Sequence, residues 1–163
     1  MIIAAHIDTL TGTPSFLWPY LGRLAAQNPD DHFIFFTQSE SLTAAPPCVN
    51  CTVIKISPVI KNSLLLHYWY NYKLPPLLKK YNATVFISQN SVVSLRIDIP
   101  QLMMITDNYK LKKKYPVINE YRSYLKRYFS KFITKASAVC VTKTFIGHQL
   151  FERYPFVKHK TTT

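Results

Sequence analysis

Glycine is scarce in this chain, with 3 in 163 residues, which leaves little material for flexible, phosphate-cradling loops. Acidic side chains are also few, 8 against 20 lysines and arginines, for a net charge of +12. Cysteine is sparse and odd in number, at 3. Cys48 and Cys51 have the C-x-x-C spacing of metal and redox motifs. No second pair completes a zinc set, and His32 and His67 stand at no ligand spacing from them, so two ordinary thiols near a strand start are expected. That usage suits a reducing cytoplasm rather than a disulfide framework. No apolar run approaches the roughly 18 residues of a membrane span. The first residues, Met1 to Asp8, lack the basic start and long apolar stretch of a signal peptide.

What is present is apolar residues at 48% and aromatics at 14%, enough for one well-buried core. Residues 1–7 form an apolar run without helical gaps, suited to a buried parallel strand. Similar strands are expected at 32–37, 51–56, 84–88, 101–106 and 138–142. Between them lie helical patterns: one opened by Pro14, with Phe16, Leu17, Tyr20, Leu21, Leu24 and Ala25 at helical spacing, and one capped by Asn62 or Ser63. The second is expected to break at Pro75-Pro76, which would open a short further helix. Residues 117–135 read as the longest helix, with Ile118, Tyr121, Leu125, Tyr128 or Phe129, and Phe132 facing inward. A last helix ends near Tyr154-Pro155. Residues 38–50 and 89–100 read as loops. The fold class is therefore α/β: an open, mostly parallel, Rossmann-like sheet with helices on both faces, in a single domain spanning 1–163.

Ligands of such sheets bind outside the carboxyl ends of the strands, at a switch point. That rule singles out Asp8–Thr13, Gln89–Asn90–Ser91, Asp107–Asn108–Tyr109 and Thr142–Lys143–Thr144. A lone His6 at the end of the first strand reads as a packed residue, and His148 and His159 as surface residues. One of Thr142 and Thr144 is expected to cap the last helix. No Ser-His-Asp or Cys-His set can be assembled from spacing.

The positive charge is concentrated. Lys110, Lys112, Lys113, Lys114, Arg122, Lys126, Arg127, Lys131 and Lys135 face Glu120 alone within residues 110–135. Tyr109, Tyr115, Tyr121, Tyr124, Tyr128 and Phe129 are interleaved with them. A solvated helix face, an interfacial surface for anionic lipid, and a nucleic-acid patch all fit such a run. The interleaved rings favour the lipid surface. Nucleic acid is disfavoured because no RNA-binding aromatic motif and no helix-turn-helix spacing is found.

Several passages, taken in order, resemble the N-terminal half of GT-B glycosyltransferases of the retaining group-one type (family four). The opening strand with Gly12-Thr13-Pro14 resembles the family's glycine-bearing loop. Leu74-Pro75-Pro76 through Ser88 resembles its leucine-proline, helix, strand passage. Ile99-Pro100 through Asp107 resembles the strand that ends in a His-Asp pair, with Thr106 standing where the histidine often is. Ala136 through Thr144 resembles the strand ending in valine-serine ahead of a helix. The resemblance implies transfer of a hexose from a nucleotide sugar to a saccharide or lipid-linked acceptor with retention, serving cell-envelope polysaccharide. It implies that this half forms the acceptor side, with Gly12, Thr13, Asp107, Asn108, Tyr109, Thr142 and Lys143 as substrate-binding candidates. Lys110, Lys112, Lys113, Lys114, Arg122, Lys126, Arg127 and Lys131 are the candidates for membrane or anion binding. No catalytic residue, metal or cofactor is assigned. The donor nucleotide would sit mainly on a C-terminal domain beyond Thr163, so residues 1–163 alone are expected to be inactive. The expected location is cytoplasmic, resting on the inner membrane face. The alternatives are a non-catalytic basic α/β module for nucleic acid or other anionic ligands, and a flavodoxin-like fold, for which Thr9–Thr13 is only a partial phosphate loop.

Overall fold

Strands β1 (Ile2–His6), β2 (His32–Thr37), β3 (Cys51–Lys55), β4 (Val85–Ser88), β5 (Gln101–Ile105), β6 (Ala138–Val141) and β7 (Thr161–Thr162) form one sheet in the order β3-β2-β1-β4-β5-β6-β7. Every adjacent pair is parallel. The computed structural model describes residues 1–8, 17–43, 48–105 and 119–162. The open Rossmann-like α/β class expected from the sequence is the fold observed. The short seventh strand follows a 3₁₀ segment (Pro155–Lys160).

The continuous apolar runs are what make these strands parallel and central, because such strands are covered on both faces. Ile3, Ala5, Ile7, Phe33 and Phe35 turn to one face, against Leu17, Leu21 and Ala25 of α1 (Leu17–Gln27). Tyr20 and Leu24, expected on that inner stripe, lie on the outer side of the helix and are exposed. Phe16 and Ile118 fall outside the described side chains. A single turn, α2 (Glu40–Thr43), occupies part of the segment read as a loop. Ala4, Ile34, Phe36, Phe86 and Met103 face the larger core on the other side. That core is closed by α3 (Ser63–Tyr68), a π-helical turn (Trp69–Lys73), α4 (Leu74–Lys80), α5 (Asn119–Lys135) and α6 (Thr144–Arg153).

Two features differ from the sequence-based expectation. Asn62 caps α3, its Oδ1 accepting the Leu65 N–H at 2.9 Å, and the short further helix does open at Pro75-Pro76 and run to Lys80 as expected, yet the prolines do not break the run before it. The Leu74 N–H bonds to the Trp69 carbonyl, five residues back. This widened turn lies just ahead of the prolines, which then fall in the first turn of α4, where a missing N–H costs nothing. The N-cap position of α6 is Lys143 rather than a threonine, with no side-chain cap hydrogen bond.

The β4–β5 connection is also unlike an ordinary surface loop, since Gln89 through Ser94 are buried. Buried backbone needs partners. Gln101 supplies two, its Oε1 accepting from the Ser94 N–H and its Nε2 donating to the Ser94 carbonyl, both at 2.9 Å. Asn71 Oδ1 accepts the Leu95 N–H at 2.8 Å, and the Ser91 N–H reaches the Met104 carbonyl at 3.2 Å. Ser91 holds a left-handed conformation, φ 52°, which an L residue adopts only when its surroundings enforce it.

Candidate functional site

Strand order reverses between β1 and β4, because β2 lies on one side of β1 and β4 on the other. Outside the carboxyl ends of these two strands is the crevice where open α/β sheets take ligands. Register sets His6 beside Ser88, and the chains run on through Asp8 and Asn90. All four side chains are buried.

They form a hydrogen-bonded set. The Thr37 hydroxyl donates to Asp8 Oδ1 at 2.7 Å, and the Gln38 N–H donates to Oδ2. Asn90 Nδ2 donates to the Asp8 carbonyl at 2.9 Å. His6 Nδ1 lies 2.8 Å from the Tyr70 hydroxyl, which lies 2.8 Å from the Ser88 hydroxyl. Tyr70 is delivered from the π-helical turn, alongside Trp69, whose ring is 5.1 Å from that of His6. Among the described residues His6 Nε2 has no hydrogen-bond partner, and it stands 3.9 Å from Asp8 Oδ2. Gln89 Nε2, one residue past Ser88, is also buried without a partner among the described residues.

Burial decides the charge states. It pushes the His6 pKa down to about 3, so the ring is neutral. The same loss of water raises the Asp8 carboxyl, an effect opposed by the hydrogen bonds from Thr37 and Gln38. Gln38 carries the network further, its Oε1 accepting the Ile60 N–H at 2.6 Å ahead of α3. Asp8 thus ties together the ends of β1, β2 and β4 and the approach to α3, bonding β2 and Gln38 through its carboxylate and Asn90 through its backbone carbonyl.

The sequence-predicted residues divide into four groups. Gly12, Thr13, Asp107, Asn108, Tyr109, Lys110, Lys112, Lys113 and Lys114 lie outside the described residues. Thr142 and Lys143 are exposed where β6 passes into α6. Arg122, Lys126, Arg127 and Lys131 are exposed on α5, whose inner face buries Tyr121, Tyr124, Leu125, Phe129 and Phe132. Gln89, Asn90 and Ser91 lie at the switch point, as the sheet rule anticipated. Tyr70 and Thr37 were not anticipated, because no local pattern shows that a helical tyrosine will reach a strand end. His6 is packed, as read from the sequence, but within the polar set.

Cys48, Cys51 and Cys140 are free thiols. Among the described residues no cluster of His, Cys, Asp and Glu could hold a metal ion. A cavity of about 470 Å³, lined by residues that include Lys79, Asn82, Arg96 and Asp98, sits at the opposite edge, where β4 and β5 begin. The ligand rule for parallel sheets points away from it.

The chain is similar in structure to two sugar-transferring proteins. One is a glycosyltransferase from Rickettsia africae ESF-5, with a TM-score of 0.58, 13% identity, and coverage of 99% of this chain and 41% of that one. The other is the apo form of the lipopolysaccharide outer core galactosyltransferase WaaB, with a TM-score of 0.61, 12% identity, and coverage of 100% of this chain and 45% of that one. At such identities the likeness is one of fold, and this chain spans less than half of either protein. No protein-family model matches the chain, and no curated protein matches it.

Proposed function

We propose that the chain is the acceptor-side half of a retaining, GT-B-type glycosyltransferase that moves a hexose from a nucleotide sugar to a saccharide or lipid-linked acceptor. The observation that carries this reading is the buried polar set His6, Asp8, Ser88 and Asn90 at the switch point. It lies on a fold shared across almost the whole chain with two sugar-transferring proteins. The donor nucleotide belongs mainly to a second domain beyond Thr163, so residues 1–163 alone do not transfer sugar. The test is to read the frame past codon 163 and assay both products against a panel of nucleotide hexoses. A continuing frame whose product transfers hexose, while residues 1–163 do not, supports the reading. Transfer by residues 1–163 alone, or none by the longer product, overturns it.

A specific surface favours docking of this half on an anionic membrane. The sequence has no acidic residue between Glu40 and Asp98, so α3, the π turn and α4 carry only positive charge. Leu64, Tyr68 and Tyr72 recur every fourth residue along that run, at 76%, 40% and 49% exposure. The Arg96 guanidinium lies 4.4 Å from the Tyr72 ring centre. The α5 helix, with Arg122, Lys126, Arg127 and Lys131 outward, packs beside α3 through His67 and the Tyr124 hydroxyl at 3.2 Å. Apolar and tyrosine side chains among cations suit the headgroup layer of an anionic leaflet. Among the described residues no helix is long and apolar enough to cross a membrane.

A further inference from the structure

The His6 ring lies between groups that fix its tautomer. Asn90 Nδ2 donates to the Asp8 carbonyl at 2.9 Å and is therefore the amide nitrogen, and it also faces His6 Nδ1 at 3.4 Å. A protonated Nδ1 would set N–H against N–H there, so Nδ1 is the acceptor. The Tyr70 hydroxyl, 2.8 Å away, then donates to Nδ1 and accepts from Ser88. The neutral ring carries its proton on Nε2. That donor is fully buried, lacks a partner among the described residues, and lies 3.9 Å from Asp8 Oδ2. Asp8 Oδ2 already accepts the Gln38 N–H, and a carboxylate oxygen has a second lone pair to offer. An oxygen about 2.8 Å from both atoms, set off the line between them, would accept from Nε2–H and donate to the carboxylate. A hydroxyl group is both acceptor and donor and meets that requirement.

We propose that His6 and Asp8 bind a hydroxyl oxygen between Nε2–H and Oδ2 at the switch point, and that Tyr70 and Ser88 are positioning residues that hold His6 in the required tautomer. Only the choice of a sugar as one source of that hydroxyl rests on the glycosyltransferase reading; the other source is water. Buried donors are rarely left unpaired because an unmet N–H forfeits the hydrogen bond it made to water, and an enclosed hydroxyl restores that bond.

The test is long-range nitrogen-15 NMR of histidine-labelled protein. His6 is expected as the neutral Nε2-protonated tautomer from pH 8 to pH 5. An Nδ1-protonated ring, or an imidazolium at pH 6, overturns the proposal. Tyr70→Phe keeps the ring in the core but removes the O–H donor, and the Nδ1-protonated form should become detectable. An unchanged tautomer in that variant overturns the positioning role, and if the variant fails to fold, the wild-type spectrum still decides the tautomer. Cross-relaxation from Nε2–H is then recorded without sugar and with methyl α-glucopyranoside or methyl α-galactopyranoside. A cross-peak to water alone supports the site with water as its occupant, and one to sugar protons supports it with a sugar hydroxyl. A cross-peak to neither overturns it. A positive result with no sugar transfer by the longer product keeps this site and removes the glycosyltransferase reading.

Discussion

The hydroxyl of Tyr70 lies 2.8 Å from the hydroxyl of Ser88, although one belongs to the helical crossover after β3 and the other ends β4. The contact depends on the π-helical turn, which buries Trp69, Tyr70 and Asn71 in succession. Each has its own target. Trp69 packs against His6 and Phe36, Tyr70 reaches the strand ends, and Asn71 holds the β4–β5 connection. Wide turns of this kind recur at functional sites because they redirect side chains that a regular helix would turn elsewhere.

Replacing Tyr70 by Phe should therefore separate packing from polarity. The ring still fills its place beside Phe86, from which it is 6.2 Å centre to centre. The lost hydroxyl leaves His6 Nδ1 and Ser88 with weakened partners in a buried place, at a cost of about 1–3 kcal/mol. Tyr70→Ala should cost more, about 3–5 kcal/mol, because it opens a cavity as well. Urea unfolding of both variants checks the order; no loss in Tyr70→Phe would mean that the hydroxyl network adds nothing to packing.

Stability should fall on acidification because of His6. Its pKa is depressed by burial to about 3 in the fold, from an ordinary 6.5. The unfolded chain therefore binds a proton between those values while the native protein does not. The stabilisation is fully present above pH 6.5 and is lost as the pH falls toward 3. Asp8, raised by burial, acts with the opposite sign, since acid relieves the cost of its enclosed charge. The urea midpoint should thus decline from pH 7 to pH 4, and His6→Gln should flatten that decline. A His6→Gln variant with the parental acid slope would contradict it.

The Gln101 clamp predicts a large effect from one uncharged substitution. Gln101→Leu preserves bulk but strands the buried N–H and carbonyl of Ser94, which the amide pairs at 2.9 Å each. Two buried groups without partners cost about 2–6 kcal/mol together. Thermal unfolding of the variant measures it, and a loss under about 1 kcal/mol would show that solvent or other backbone replaces the amide.

How much of this was legible follows from the range of the interactions. The strands were legible because a parallel strand states itself as a local apolar run, and β2 was expected within its observed bounds. Asn62 was legible as a cap because a cap bonds within its own first turn. The passage of Pro75-Pro76 without a break was not, since the compensating wide turn is made by residues ahead of the prolines. Gln101 reads as an ordinary polar residue at a strand start, and only the folded chain brings the buried Ser94 peptide to it. The switch-point rule found the loop holding Asn90 and the ends of β1 and β4. The side chains that complete the polar set come from β2 and from the crossover to β4, far away in sequence, and no spacing rule reaches them.

Membrane docking by the cationic helices predicts two separable losses. Reversing charge at Arg122, Lys126, Arg127 and Lys131 removes long-range attraction to anionic lipid. At about 1 kcal/mol per basic residue near such a surface, neutralising all four should weaken binding to phosphatidylglycerol-containing vesicles by about a thousandfold at low salt. Reversal should weaken it further, and the effect should fade as salt rises. Leu64→Ser with Tyr68→Ser and Tyr72→Ser instead removes apolar insertion, so the residual binding should stay salt-dependent but reach a lower plateau at every salt concentration. Co-sedimentation across a salt series distinguishes the two variants. Binding to duplex DNA or RNA in place of vesicles, lost in the charge variant and unchanged in the serine variant, would assign the same cations to nucleic acid. In that case the exposed stripe of α3 would have no part in the contact, because a phosphate backbone rewards charge and not an apolar leucine.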